Sequence, residues 1–297
     1  MNIKDIKNLK CGKCLENVDL VKYNTYKINS IAKIMVFPEN EKQLIKLLKY
    51  LNSNNIKHLV LGNGSNVIFS SKGYDGVVIK LDEFNELNIK DTVVKVGAGY
   101  SLMRLANKMC KMGLSGLEFA TGIPGTVGGA IYMNAGAYKS DIGYITSEVR
   151  VLTPDYKIKT LYNKDLDFHY RSSFLQSNKN YICLEATFVL KKGNKQEIIE
   201  TIEERKQRRL ISQPLEYPSA GSVFRNPEGE FAGHLIEEMG YKGKTLGGAQ
   251  VSEKHANFII NKDNATGEDI KNLIKEVQSK VKETYDIDLK IEQEFVE

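Results

Sequence analysis

Four cysteines and four histidines in 297 residues leave little material for a disulfide framework or a metal centre. Cys11 and Cys14 form a C-x-x-C, but no second such pair and no H-x₃-H completes four ligands. No metal is expected, and the pair reads as reduced thiols in a loose N-terminal segment. Excess charge of one sign is also small. The 42 basic and 37 acidic residues leave a net +5, weak support for anionic small-molecule substrates and little for nucleic acid. The one dense basic cluster, Arg205, Lys206, Arg208 and Arg209, falls on a helical stretch and reads as a solvated face. The first ten residues alternate lysines with isoleucines and leucines and hold no apolar leader core, so a cytoplasmic protein is expected. A stretch of bilayer length, 119–138, carries glycines, Pro124 and Asn134, which speak against a lipid-facing helix. With 41% hydrophobic residues the chain can bury a large core, and its length favours two or three domains.

Three regions separate along the chain. In the first, about 23–81, Asn40 and Gln43 stand at capping-box spacing before Leu44, Ile45, Leu47, Leu48 and Leu51 on one helix face. Strands are expected there at His58–Leu61, Val67–Phe69 and Val77–Leu81. The second, about 82–191, opens with a strand at Val93–Val96 and a helix capped by Ser101 and closed by Gly113. Strands follow at Glu148–Thr153, Tyr156–Leu161 and Tyr181–Leu190. The third, 192–297, begins with a charged helix over Lys195–Leu210 and ends with a helix capped near Thr266 and a strand-like tail over Leu289–Val296.

Glycine is concentrated where chemistry is expected. Thr121 to Gly136 reads TGIPGTVGGAIYMNAG, with five glycines, one proline and no charge. Such a backbone can lie against phosphate or a flat ring, with amide dipoles and the Thr121 and Thr126 hydroxyls in place of lysines. A set of tight packing turns is the plain alternative. LGNGSNVIFS (61–70) imitates a dinucleotide fingerprint but has Val67 where the last glycine belongs and a strand where a helix should start, so a Rossmann fold is disfavoured. A strand–turn–strand loop whose amides, with Ser65 and Asn66, cradle phosphate is one reading; a hairpin turn is the other. Gly243-Lys244-Thr245 lacks the upstream glycine of a P-loop, and GLSGL (113–117) lacks the closing glycine of a nucleophile elbow.

Two further segments gather polar groups. HYRSSF (169–174) sets Arg171 among aromatics and hydroxyls, where a guanidinium seeks a carboxylate or phosphate. In PSAGSVFRNP (218–227) two prolines bracket a Gly-Ser turn followed by Arg225 and Asn226. It is either a rigid loop or a group presenting the Ser222 hydroxyl, a guanidinium and an amide together.

Taken with LEFATGIPGTVGGAIYMNAGAY, AGHLIEEMGYKGKTLGGAQVSEKHANFIIN and the tail LKIEQEF, these segments resemble the UDP-N-acetylenolpyruvoylglucosamine reductases, of the shorter type without an extra substrate-loop insertion. The match runs in order from about residue 20 to 297. It implies an α+β fold: a two-subdomain FAD-binding domain of the vanillyl-alcohol-oxidase (PCMH) type, 23–191 with subdomains at 23–81 and 82–191, and a C-terminal α+β substrate domain, 192–297, after an N-terminal segment, 1–22. It implies FAD as cofactor, NADPH as electron donor, and a UDP-linked enolpyruvyl sugar as the group reduced, in peptidoglycan synthesis. A monomer is expected.

By motif position the resemblance assigns catalysis to Arg171, Ser222 and Glu292. It assigns the cofactor to Gly62, Asn63, Gly64, Ser65, Asn66, Thr121, Gly122, Ile123, Pro124, Gly125, Thr126, Gly128, Gly129, Ala130, Asn134 and Gly136. Substrate falls to Tyr170, Arg225, Asn226, His255 and Asn257. Two departures stand out. Thr25 to Ser30 replaces a stretch that usually carries a glycine pair, and Ile291-Glu292-Gln293-Glu294 leaves Glu294 as an alternative to Glu292, on the same face of a strand. Another flavin oxidoreductase on the same fold would keep the two glycine loops without needing AGSVFRNP. A nucleotide-binding module without activity would be colourless.

Overall fold

The computed structural model describes residues 3–297. The chain forms two compact units, and neither is continuous in sequence. One comprises 1–16, 34–63 and 76–206, the other 17–33, 64–75 and 207–297. Tyr26 and Ile28 pack in the second core with Phe224, Ile274 and Val277.

In the first unit a five-stranded antiparallel sheet has the order Ile158–Tyr162, Thr146–Leu152, Ile182–Val189, Val93–Gly97, Leu87–Lys90. The helix Glu41–Ser53 starts where Asn40 accepts from the Gln43 amide at 3.1 Å. The Gln43 side chain reaches back to the Glu39 amide at 2.9 Å, one residue before the cap. Leu44, Leu47, Leu48 and Leu51 share the i, i+3, i+4, i+7 stripe and are buried, each worth about 1.5–3 kcal/mol of removed apolar surface. Ser101 caps the helix Leu102–Lys111, which buries Leu102, Leu105, Ala106 and Met109 in the same core. The stretch over 1–22, expected to be loose, contains the helix Ile3–Asn8 and the strand Lys13–Asp19, which edges a four-stranded sheet. Cys11 is buried and Cys14 lies on that strand, both as free thiols whose pKa burial raises. The basic cluster on the helix Lys195–Ser212 is not uniformly solvated, since Arg205 is half-buried against Tyr138.

In the second unit the strand Val67–Phe69 pairs in parallel with the tail strand Glu294–Val296. The helix Gly267–Tyr285 packs on them, capped by Thr266, and buries Ile270, Leu273, Ile274, Val277 and Val281. A small antiparallel sheet, Thr245–Leu246, Ala249–Val251 and Ile259–Asn261, completes the layer. The expected strand–turn–strand at 58–69 is therefore no hairpin: His58–Val60 pairs with Tyr74–Ile79, and Val67–Phe69 with the tail. Among the described residues no helix is long and apolar enough to cross a membrane.

Glu268, in the first turn of the capped helix, accepts from Ser70 Oγ at 2.6 Å, from the Ser71 amide at 3.2 Å and from Ser71 Oγ. Burial raises its pKa, but these hydrogen bonds outweigh that and hold it at about 2. A carboxylate depressed in the fold contributes stability above its unfolded pKa and loses it as pH falls through the folded value. Glu268→Gln is therefore expected to lower the urea midpoint at pH 7, with the gap to the unsubstituted protein closing between about pH 4.5 and pH 2. Urea titrations across that range check it, and a gap that does not change with pH contradicts it.

Candidate active site

The two glycine-rich loops meet in the first unit. Asn63 Nδ2 donates to the Pro124 carbonyl at 3.1 Å, and a Cβ at Gly62 would lie 2.8 Å from Thr126 Oγ1. In the second unit Gly64, at φ +64°, has no room for a side chain, because a Cβ would sit 2.0 Å from the Tyr23 carbonyl oxygen. Three of the loop carbonyls are taken: Gly62 O accepts from Lys80 Nζ, Gly64 O from the Thr25 amide, and Asn66 O from the Glu294 amide. Among the described residues the N–H groups of Gly62, Asn63, Gly64 and Ser65 donate to no protein acceptor. Successive backbone amides without a protein acceptor are the kind of group that binds anions.

Lys80 was not legible as part of this loop. It is 4% exposed, pairs with Asp82 at 3.2 Å, and burial lowers its pKa. It places a cation behind a loop that the sequence shows as uncharged. Its signal was present only as a lysine at the end of an otherwise apolar strand, Gly76 to Ile79.

The run 121–136 behaves differently from its sequence reading. Val127–Met133 is a helix capped by Thr126, and its first amides are already used: Val127 to Tyr100 O, Gly128 to Ala98 O, and Gly129 to Thr126 Oγ1. Thr121 Oγ1 donates to Glu118 O at 3.0 Å. Thr121 Oγ1 is thus engaged as a donor, whereas Thr126 Oγ1 is used as an acceptor and keeps its proton to donate. Gly129 keeps open space, since a Cβ there would meet only Thr126 Oγ1 at 3.4 Å.

The C-terminal end of the run holds the Arg171 hairpin. Asn134, left-handed at φ 42° and 2% exposed, donates to His169 O at 2.8 Å and accepts from the Gly143 amide at 3.0 Å. Gly136 O accepts from Arg171 Nη2 at 2.7 Å, and Ser173 Oγ donates to Tyr132 O at 2.7 Å. These contacts dock a two-residue turn in which Arg171 itself has φ +54°. A bulky residue in that region costs about 1–3 kcal/mol and persists only where the surroundings impose it. The Asn134 side chain thus ties His169 to Gly143, and the Gly136 carbonyl ties to Arg171. Tyr170 is exposed, with the Arg171 guanidinium 5.2 Å from its ring centroid.

In the second unit Ser222 and Glu292 come together. The Glu292 amide donates to Val223 O at 2.8 Å, and Phe224 bridges to Ile291. Gln293, 4% exposed, accepts from Tyr26 Oη at 2.9 Å and donates to the carbonyls of Ala220, Gly221 and Ser222 at 3.1, 3.2 and 3.4 Å. It clamps the loop from behind, while the Ser222 hydroxyl is half-buried and bonded to no described residue. Glu294 lies opposite Val67 in the tail ladder, three residues beyond the Ile291 bridge to the Ser222 loop.

His255 is partly buried, which lowers its pKa, and its Nδ1 accepts from the Asn257 amide at 3.2 Å, leaving the neutral ring's proton on Nε2. Asn257 faces inward instead: its side chain accepts from the Phe224 amide at 2.9 Å and donates to Phe224 O at 2.8 Å. At 4% exposure it holds the Ser222 loop. Asn226 Oδ1 accepts from the Ala232 amide at 3.2 Å and so caps the helix Ala232–Glu238. The Arg225 amide is bonded to Lys290 O at 2.8 Å, which fixes where its half-buried guanidinium starts.

The family model for the C-terminal domain of UDP-N-acetylenolpyruvoylglucosamine reductase matches residues 213–296, and that of an FAD binding domain matches 32–162. The chain is 45% identical over 286 residues to the UDP-N-acetylenolpyruvoylglucosamine reductase of Anoxybacillus flavithermus, covering 96% of this chain and 95% of that one. It is 41% identical over 295 residues to the Bacillus subtilis reductase, covering 99% and 97%. The crystal structure of the Thermus caldophilus reductase superimposes with a TM-score of 0.81 at 32% identity, covering 96% of this chain and 98% of that one. The fold is thus α+β, an FAD-binding domain of the vanillyl-alcohol-oxidase type with a C-terminal substrate domain. The chain belongs to the UDP-N-acetylenolpyruvoylglucosamine reductase family.

Proposed function

We propose that this chain is the NADPH-dependent FAD enzyme that reduces the enolpyruvyl group of UDP-N-acetylglucosamine enolpyruvate to UDP-N-acetylmuramate in peptidoglycan synthesis. The observation that carries this reading is 45% identity over 96% of the chain to a reductase of that family. It works as a cytoplasmic monomer on this reading. The residues present fit the cofactor: four amides at 62–65 without a protein acceptor suit a pyrophosphate, and the open space at Gly129 suits a group lying against the backbone. The loop 62–66 and the turn 121–126 hold it, with Lys80 contributing charge from behind. FAD held there would supply the hydride chemistry that links NADPH oxidation to reduction of the enolpyruvyl double bond.

The protein's part is to manage charge on the substrate. Adding hydride to the vinyl carbon places negative charge on the neighbouring carbon and its carboxylate. A guanidinium fixed before the reaction stabilises that charge more in the transition state than in the ground state, and Arg171 takes this role. Ser222 delivers the proton to carbon, its loop held rigid by Gln293 and Asn257 so that the hydroxyl is the mobile group. Glu292, on the strand bridged to the Ser222 loop, acts as a neutral acid or through a water, because an ionised carboxylate would repel the developing charge. Its backbone contact beside Ser222 favours it over Glu294. Arg225 binds the diphosphate, and Tyr170 and His255 line the substrate.

Anaerobic stopped-flow separates the two half-reactions and tests these assignments. Ser222→Ala is expected to leave flavin reduction by NADPH near normal while slowing the enolpyruvyl half-reaction at least about a hundredfold. Equal slowing of both refutes the proton-donor role. Arg225→Ala is expected to raise KM for the UDP-sugar with little change in kcat, and an unaltered KM counts against the diphosphate contact. Lys80→Met removes a charged hydrogen bond to Gly62 O and is expected to weaken FAD binding about tenfold. Flavin titration of the apoprotein reads this directly, and a wild-type dissociation constant rules it out.

A further inference from the structure

The ribbon that receives Arg171 is built against the preferences of its own backbone. Gly136–Ala137 and Ser140–Asp141 pair antiparallel with Ala137 opposite Ser140, so Tyr138 and Lys139 are the central residues of the turn. Both are left-handed, at φ +56° and +60°. Turns of this kind are ordinarily filled by asparagine and glycine, and a bulky aromatic is disfavoured there. Contacts from outside the ribbon must therefore hold it.

Tyr138 makes such a contact. Its hydroxyl donates to Arg205 O at 3.0 Å, and the Arg205 guanidinium lies 4.8 Å from the ring centroid. Arg205 belongs to the helix Lys195–Ser212, so a long helix grips a ribbon of two two-residue strands through one aromatic ring. Two residues before Tyr138, Gly136 is hemmed in: a Cβ there would lie 2.5 Å from Ser140 O and 2.6 Å from Asp141 Cβ. Its carbonyl is thus set by the ribbon, and that carbonyl is the acceptor for Arg171 Nη2.

We infer that Tyr138 is a positioning residue for the reaction at Arg171: clasped to Arg205, it fixes the ribbon whose Gly136 carbonyl aims the guanidinium. The inference rests on the reading of Arg171 as the group that faces the substrate carboxylate. Anchoring one Nη of a planar fork sets the plane of the remaining donors. Loosening that anchor costs rate more than binding, because a misplaced donor meets the transition state poorly while the diphosphate is still held elsewhere.

Tyr138→Phe keeps the ring and loses the hydroxyl. We expect the enolpyruvyl half-reaction to slow about tenfold, with substrate affinity and NADPH-driven flavin reduction changed less than about twofold. In the Arg171→Lys background the same substitution should add almost nothing, since the group it positions is already lost. Lys139→Gly relieves the turn; added to Tyr138→Phe it should recover thermal stability without recovering rate. A wild-type rate in Tyr138→Phe, equal slowing of both half-reactions, multiplicative effects in the double variant, or rate recovery with Lys139→Gly each overturns the inference. If Arg171→Lys itself leaves the enolpyruvyl half-reaction unchanged, the assignment of Arg171 fails and takes the inference with it. Slow Arg171→Lys beside unaffected Tyr138→Phe overturns the inference alone.

Discussion

The parallel pairing of Glu294–Val296 with Val67–Phe69 is the constraint on which the second unit depends. It fixes the tail beside the strand that leaves the GNGSN loop, and so it fixes Gln293, whose amide spans Tyr26 on one side and three loop carbonyls on the other. Without that register the Ser222 loop would have no support from behind, and Glu292 no defined distance from it. A one-residue slip would exchange Gln293 for a glutamate in a buried position that needs a neutral donor.

A common arrangement recurs around each candidate group. The residue expected to do chemistry is partly exposed, while a buried amide side chain next to it satisfies the backbone. Asn134 stands in this relation to Arg171, Asn257 and Gln293 to Ser222. Asn and Gln suit the task because each offers both a donor and an acceptor without bringing charge into a low-dielectric place. Around the GNGSN loop the tie is instead a cation: Lys80 draws the Gly62 carbonyl inward. These are second-layer contacts whose value lies in leaving few ways for the reactive groups to point.

What the sequence disclosed follows from how local the signal was. The leucine stripe at 44–51, the caps at Asn40, Ser101 and Thr266, and the strands at 93–96 and 182–189 are written in nearest-neighbour patterns and appear within a residue or two. The helix Val127–Met133 was hidden because its glycines read as loop, yet Gly128 sits against Ala98 at a helix–strand contact where bulk is excluded. The fate of Val67–Phe69 was hidden too, since its partner lies at the far end of the chain. Among site residues, Arg171, Ser222 and Glu292 came from motif resemblance, and their placement on two units is a tertiary fact. The backbone bonds of Asn134, Asn226 and Asn257 were not legible, because an asparagine in a motif looks the same whether it faces a ligand or the backbone. Lys80 lay outside every motif, and Tyr138 and Gln293 lay inside motifs without drawing a role.

Tyr26 and Gln293 are 267 residues apart, yet they share one hydrogen bond in one core. A polypeptide emerging from the ribosome makes its first unit's helices and sheet long before that bond can close. Until then Ile68 and Phe69 form a short apolar edge with no neighbour, the kind of surface that invites pairing with other chains. The order of synthesis therefore runs opposite to the order of need, and the enzyme's vulnerability during biogenesis lies in the interval before its final strand arrives.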